Sequence, residues 1–185
     1  MTRRRYVLVD RDGTINEEVR GEYVLAAERM ILIPGVAEGL RDLQQAGLRF
    51  AVVTNQSPVG RGWIDEPQLE AIHRRMLDLL AEAGVEIDGI YVCPHRPDEG
   101  CSCRKPQPEL ALRAAAELDF SPREAFVVGD KDSDIEMGRR VGATTVLVLT
   151  GQGSEALENG VRPDHVAADM REAATIIRGL IEQEA

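Results

Sequence analysis

Asp10 and Asp12, two carboxylates two positions apart, lie in the cluster Asp10-Arg11-Asp12-Gly13-Thr14, directly behind the apolar run Tyr6-Val7-Leu8-Val9. A carboxylate at a strand end can attack phosphorus and form an acyl phosphate, which divides one hard displacement into two easier ones. A second carboxylate beside it can hand a proton to the leaving alcohol and later take one from water. Gly13 lets the backbone turn sharply next to a phosphate. Asp130 supplies a third carboxylate that, with Asp10, offers the oxygen donors that suit Mg²⁺. The Thr54 hydroxyl and the Lys105 ammonium can meet the equatorial oxygens of a phosphoryl group in transfer, and stabilising that charge is most of such catalysis. Each feature also has a plain structural reading: an Asp-Gly turn, a polar turn at Thr54-Asn55, and a solvated lysine before Pro106.

A second constellation, Cys93-x-His95-x5-Cys101-x-Cys103, contains every cysteine of the chain within eleven residues. Three sulfurs and an imidazole complete a tetrahedral Zn²⁺ set with no position left open, so the site is expected to be structural. Pro94, Pro97 and Gly100 suit a tight loop. An odd, clustered cysteine count fits a metal better than disulfides, the alternative being reduced surface thiols.

Short apolar runs must position these groups. Tyr6 to Val9, Leu48 to Val53, Gly89 to Val92, Ala125 to Val128 and Thr145 to Leu149 read as strands buried on both faces. Amphipathic segments separate and follow them: Val36 to Ala46, Glu66 to Ala83, Pro108 to Leu118, Ser133 to Val141 and Met170 to Ile181. Leu69, Ile72, Met76, Leu79 and Leu80 draw one apolar stripe. Pro34-Gly35 opens the first helix and Gly47 closes it. The alternation predicts an α/β fold with a doubly wound parallel sheet, one domain over residues 1–185. Gly151 to Gly160 is expected to be a mobile loop. In such sheets ligands collect beyond the carboxyl ends of the strands. Four polar clusters fall there: Asp10 to Thr14, Thr54-Asn55-Gln56, Cys93-Pro94-His95, and Gly129 to Asp134.

Composition narrows the classes. A 185-residue chain can bury about 70% of its unfolded surface without disulfide staples. With 43% hydrophobic and 29% charged residues it is neither disordered nor collagen-like. A net charge of −10 argues against a general nucleic-acid or anionic-membrane binder, which needs a basic face. The run after Arg3-Arg4-Arg5 is too short for a signal peptide, and no apolar stretch of about 18 residues exists to span a membrane. A cytoplasmic, monomeric protein is expected.

The segments Asp10-Arg11-Asp12-Gly13-Thr14, Thr54-Asn55-Gln56, Arg104-Lys105-Pro106 and Gly129-Asp130 together resemble the four ordered motifs of haloacid-dehalogenase (HAD) superfamily phosphatases. The resemblance covers nearly the whole chain and extends to the branch of heptose-bisphosphate and histidinol phosphatases. It implies a HAD-like Rossmann-type fold with Asp10 as nucleophile, Asp12 as general acid/base, and Thr54 and Lys105 as phosphoryl stabilisers. It also implies Mg²⁺ held by the Asp10 carboxylate, the Asp12 backbone carbonyl and the Asp130 carboxylate. In this branch a Cys-His-Cys-Cys loop binds zinc and runs into the Arg-Lys-Pro motif, as Cys103 runs into Arg104 here.

Only 44 positions separate Asp10 from Thr54, and a helix takes part of that span, so no large cap domain fits. The pocket must then be shaped by Asn16 to Tyr23, Gln56 to Trp63 and the zinc loop. Thr54-Asn55-Gln56-Ser57-x-x-Gly60-Arg61-Gly62 resembles the heptose-bisphosphate phosphatases, which implies substrate contacts from Glu18, Tyr23, Thr54, Asn55, Gln56, Ser57, Arg104 and Lys131. Arg104 and Lys131 would hold the distal phosphate. The resemblance implies release of the 7-phosphate of a heptose 1,7-bisphosphate in nucleotide-heptose synthesis for cell-surface glycans such as lipopolysaccharide. The five-residue spacing before Cys101 matches the histidinol-phosphatase pattern, so histidinol phosphate stands as the alternative. A non-enzymatic phosphoaccepting regulatory domain is a third reading, opposed by Asp12. His73 is expected on an exposed or flanking helix face, and His165 at a short late strand. Trp63 is read as a loop anchor, with stacking on a sugar as the alternative, Asp132 as a loop or helix-start carboxylate rather than a metal ligand, and Asp134 as reaching the metal through water.

Overall fold

The computed structural model describes residues 5–18 and 23–184; residues 19–22 of the expected Asn16–Tyr23 loop, and Arg3 and Arg4, lie outside the described residues. In chain order the elements are β1 (Tyr6–Val9), α1 (Val36–Gln45), β2 (Arg49–Asn55), α2 (Ser57–Gly60), α3 (Glu66–Glu82), β3 (Gly89–Cys93) and α4 (Glu109–Leu118). They continue with β4 (Phe126–Gly129), α5 (Asp132–Val141), β5 (Thr144–Val148), α6 (Gly153–Glu158), β6 (His165–Ala167) and α7 (Met170–Glu184).

The strands pair in parallel in the order β3-β2-β1-β4-β5-β6. Alternation with period two sends Val7 and Val9 to one face and Tyr6 and Leu8 to the other. The first face packs against α1, α3 and α7 through Leu40, Leu43, Ile72, Met76, Ala173 and Ile177. The second packs against α4 and α5 through Leu110, Ala114 and Met137. Covering on both sides explains why these strands are continuously apolar. Each fully buried Val or Leu stabilises the fold by about 1.5–3 kcal/mol over its exposed state.

Two boundaries differ from the sequence expectation in ways that matter. Thr54 and Asn55 are the last residues of β2, paired with Val92 and Cys93, rather than a turn beyond it. The segment expected as a mobile loop, Gly151 to Gly160, contains α6, whose Ala156 packs on Ile135 and Leu147. No helix among the described residues is long and apolar enough to cross a membrane.

The position of the site follows from topology. From β1 the chain first adds β2 and β3 on one side, then returns to place β4, β5 and β6 on the other. The winding therefore reverses between β1 and β4, where such sheets open a crevice at their carboxyl ends. Asp10 follows β1 and Asp130 follows β4 at that point.

Candidate active site

Gly13, with φ of 88°, turns the chain after Asp12, and a Cβ there would lie 2.2 Å from the Asp130 carboxylate. A glycine is thus required for conformation and for space. Gly151 meets Asp130 in the same way from beyond β5. Thr150 Oγ1 donates to the Gly13 carbonyl at 2.7 Å, and the Gln152 N–H to Asp130 Oδ2 at 2.8 Å. The segment after β5 therefore closes the site, a contribution the sequence reading missed.

Lys105, 4% exposed, reaches in from the loop between β3 and α4. Its Nζ donates to Asp10 Oδ1 at 2.7 Å, Asp134 Oδ1 at 2.6 Å and the Val53 carbonyl at 2.6 Å, using all three N–H groups. Burial alone would raise the Asp10 carboxyl, but Lys105 and then Lys131 hold it below its ordinary range. Asp10 is thus anionic, the form a nucleophile needs. Asp134 also accepts from the Lys131 N–H through Oδ2, so it orients Lys105 and the start of α5. Asp132 is exposed there and accepts from the Ser133 N–H.

Asp12 is gripped from several sides. Oδ1 accepts from Arg11 Nη2 at 2.8 Å, Arg11 Nε at 3.2 Å and Asn16 Nδ2 at 3.1 Å, while Oδ2 accepts from Gln56 Nε2 at 2.7 Å. Burial would raise this carboxyl, yet the Arg11 guanidinium and these hydrogen bonds bring it down to about 2. Gln56 also donates to Thr54 Oγ1 at 2.8 Å. His73, expected on an exposed or flanking helix face, is 8% exposed, with Nε2 3.2 Å from Arg11 Nη1.

Lys131 Nζ lies 2.9 Å from the Asp12 carbonyl oxygen, 3.3 Å from Asp130 Oδ1, 3.3 Å from Glu18 Oε1 and 3.7 Å from Asp10 Oδ2. Expected with Arg104 at a second phosphate, it lines the same cleft as Arg104 and is held by the carboxylates around it. Three of those oxygens, from Asp10, Asp12 and Asp130, are the expected Mg²⁺ donors, and their convergence on one cationic nitrogen shows that a hard cation fits among them. Burial and the Asp10 charge push Asp130 up to about 8, a penalty a divalent cation would offset.

A cleft of about 430 Å³ opens over these groups, within the range of small-molecule sites. Asp10, Asp12, Glu18, Tyr23, Asn55, Ser57, Arg104, Lys105 and Lys131 line it. Thr54 and Gln56 are buried behind that lining. Tyr23 is fixed by Ser57 Oγ at 3.3 Å and by the edge of Trp63, with ring centroids 5.7 Å apart. Trp63, 52% exposed with Arg61 over its ring, anchors this loop.

The second cluster also assembles. Cys93 Sγ lies 3.6 Å from Cys101 Sγ and 3.6 Å from His95 Nδ1; Cys103 Sγ lies 3.7 Å from Cys101 Sγ and 3.2 Å from His95 Nδ1. A zinc tetrahedron with ordinary bond lengths has edges of about 3.8 Å between sulfurs and about 3.5 Å from sulfur to nitrogen. The four residues fit that ion. Backbone bonds tie the loop to β2 and α2: the Gln56 N–H donates to the Cys93 carbonyl at 2.7 Å and the Gly60 N–H to Pro94 at 2.9 Å. Arg104 Nη1 donates to the His95 carbonyl at 3.2 Å, and the Asn55 side chain clamps both the N–H and carbonyl of Lys105. The loop thus aims two cations at the cleft.

A strand-end carboxylate pair, a buried lysine and a cation-ready third carboxylate define a phosphohydrolase of the HAD type. Residues 102–173 match a family model described as HAD-hydrolase-like. The D-glycero-beta-D-manno-heptose-1,7-bisphosphate 7-phosphatase of Pseudomonas putida is 40% identical over 96% of this chain and 99% of that protein. The D-glycero-D-manno-heptose-1,7-bisphosphate 7-phosphatase of Chlorobaculum tepidum is 35% identical over 92% of each. The crystal structure of the D,D-heptose 1,7-bisphosphate phosphatase of B. bronchiseptica, complexed with magnesium and phosphate, superposes with a TM-score of 0.88 at 34% identity, covering 98% of this chain and 99% of that one. The chain belongs to the heptose-bisphosphate phosphatase family of the HAD superfamily.

Proposed function

We propose that this protein removes the 7-phosphate of D-glycero-D-manno-heptose 1,7-bisphosphate through an aspartyl-phosphate intermediate. As a single domain it would act as a cytoplasmic monomer, since one chain carries every site group and its reduced thiols suit zinc. The observation that carries this reading is the anionic Asp10 carboxylate on Lys105, with Asp12 held beside it in one cleft. Asp10 attacks phosphorus, and Asp12, anionic in the free site, takes up a proton as the phosphate dianion closes on it and delivers that proton to the departing sugar oxygen. Asp12 then takes a proton from the water that cleaves the acyl phosphate. Lys105, Lys131 and Thr54 offset charge on the phosphoryl oxygens or orient their neighbours. Mg²⁺ would be held by the Asp10 and Asp130 carboxylates and the Asp12 carbonyl, where it would neutralise the incoming phosphate dianion. Arg104, Tyr23, Ser57 and Glu18, which line the cleft, would meet the sugar and its second phosphate. The Asp12 clamp favours turnover over storage of a phosphoaspartate, which speaks against a regulatory domain.

Phosphate release from both heptose bisphosphate anomers and from histidinol phosphate, measured in parallel, tests the substrate. The expected result is a kcat/KM at least about 100-fold higher for a heptose bisphosphate. Higher efficiency with histidinol phosphate would overturn the assignment.

Zinc has its own expected result. Metal analysis should find about one equivalent, and Cys101→Ser should lose it. Turnover should then fall by about 10- to 100-fold, because Arg104 and the Lys105 backbone lose their support. Unchanged metal content and activity in that variant would reject the site.

A further inference from the structure

We infer that His73 is a positioning residue for proton transfer, acting through Arg11 on Asp12; this rests on the acid/base role proposed for Asp12. Arg11 is fully buried, and a buried guanidinium must find acceptors for its donors. Two of its nitrogens, Nε and Nη2, go to Asp12 Oδ1. The third, Nη1, faces His73 Nε2 at 3.2 Å. Arginine does not deprotonate, so His73 must be the acceptor, with its proton on Nδ1. Burial first, and then the Arg11 charge, hold His73 down to about 4, which keeps the ring neutral as this bond requires.

The ring cannot easily move away. It sits on α3 among Leu69, Ile72 and Met76, all packed into the core. His73 thus sets the plane of the guanidinium from behind, and the guanidinium sets the carboxylate. With Asn16 added, Oδ1 of Asp12 accepts three N–H groups, whereas Oδ2 accepts one, from Gln56. Oδ2 is therefore the oxygen left to give and take the proton, and His73 helps keep it facing the cleft.

Leaving-group dependence separates this role from a merely structural one. Protonation matters for a sugar alkoxide and hardly at all for p-nitrophenolate, which departs unaided. His73→Leu and His73→Met remove the acceptor, while His73→Gln, similar in shape to Met, restores an oxygen near the Nε2 position. For the apolar variants kcat/KM with the sugar bisphosphate should fall about 10- to 100-fold, and with p-nitrophenyl phosphate stay within about 2-fold. KM for the sugar bisphosphate should change little, and His73→Gln should recover most of the loss. Equal losses on both substrates, or none on either, or no recovery in His73→Gln, would overturn the inference. Asp12→Asn serves as the reference: if it fails to discriminate between the substrates, the role of Asp12 falls and this inference with it. If it discriminates and the His73 variants do not, only the role of His73 falls.

Discussion

Asp10→Asn should abolish turnover, with kcat lower by about 10⁴-fold or more, in a protein that stays folded. The amide has the shape of the carboxylate but cannot attack phosphorus. The fold should tolerate it because Asp10 shares its cluster with Asp130 and Asp134, all within 4.8 Å of one another. Burial, and after it the Asp10 charge, raises both neighbours, so neutralising Asp10 eases them. Lys105 loses one anionic partner and keeps Asp134. Phosphate release and acid-quench trapping of labelled phosphoenzyme should both be blank, while urea unfolding shifts little. Residual turnover above about one part in a hundred would remove Asp10 from the role of nucleophile.

Much of this site is legible in the sequence, because strands covered on both faces leave a continuous apolar trace and their carboxyl ends point at the ligand. That rule points to Asp10, Thr54 and Asp130 as residues to inspect, and the motif resemblance supplies their roles. Applied once more, after Thr145 to Leu149, it would have found Thr150 and Gln152 as well. Instead, glycines at 151, 153 and 160 suggested a loop, although Gly153 is needed for space: a Cβ there would lie 1.8 Å from the Val148 carbonyl. The spacing of His73 argues for burial, against the exposed or flanking face its polarity suggests. It falls four residues after Leu69 and three before Met76, on the buried stripe itself. Arg11 could not be placed from sequence, since nothing local shows that a cation between two carboxylates turns inward to a helix 62 residues away. The partnership of Lys105 with Asp134 is likewise a product of topology, set by the packing of α4 and α5 beside β2 and β4.

That partnership supports the second large expected effect. Lys105→Met should lower kcat by about 10²- to 10³-fold and destabilise the protein by about 3–5 kcal/mol. The ammonium is buried and its three donors are all used, on Asp10, Asp134 and the Val53 carbonyl. Burial would lower the lysine, but Asp10 and Asp134 together raise it, so it stays charged and serves as their counter-ion. Methionine fills similar space but leaves two buried carboxylates facing each other and a carbonyl without its donor. The loss should therefore come mainly from unpaired charge rather than from packing. Adding Asp134→Asn removes one of those charges and should return part of the lost stability, though not the activity, since the group beside the phosphoryl oxygens is still missing. Urea unfolding of the two single variants and the double variant measures that coupling directly. If the double variant were no more stable than Lys105→Met, the buried charge pair would not be what Lys105 stabilises.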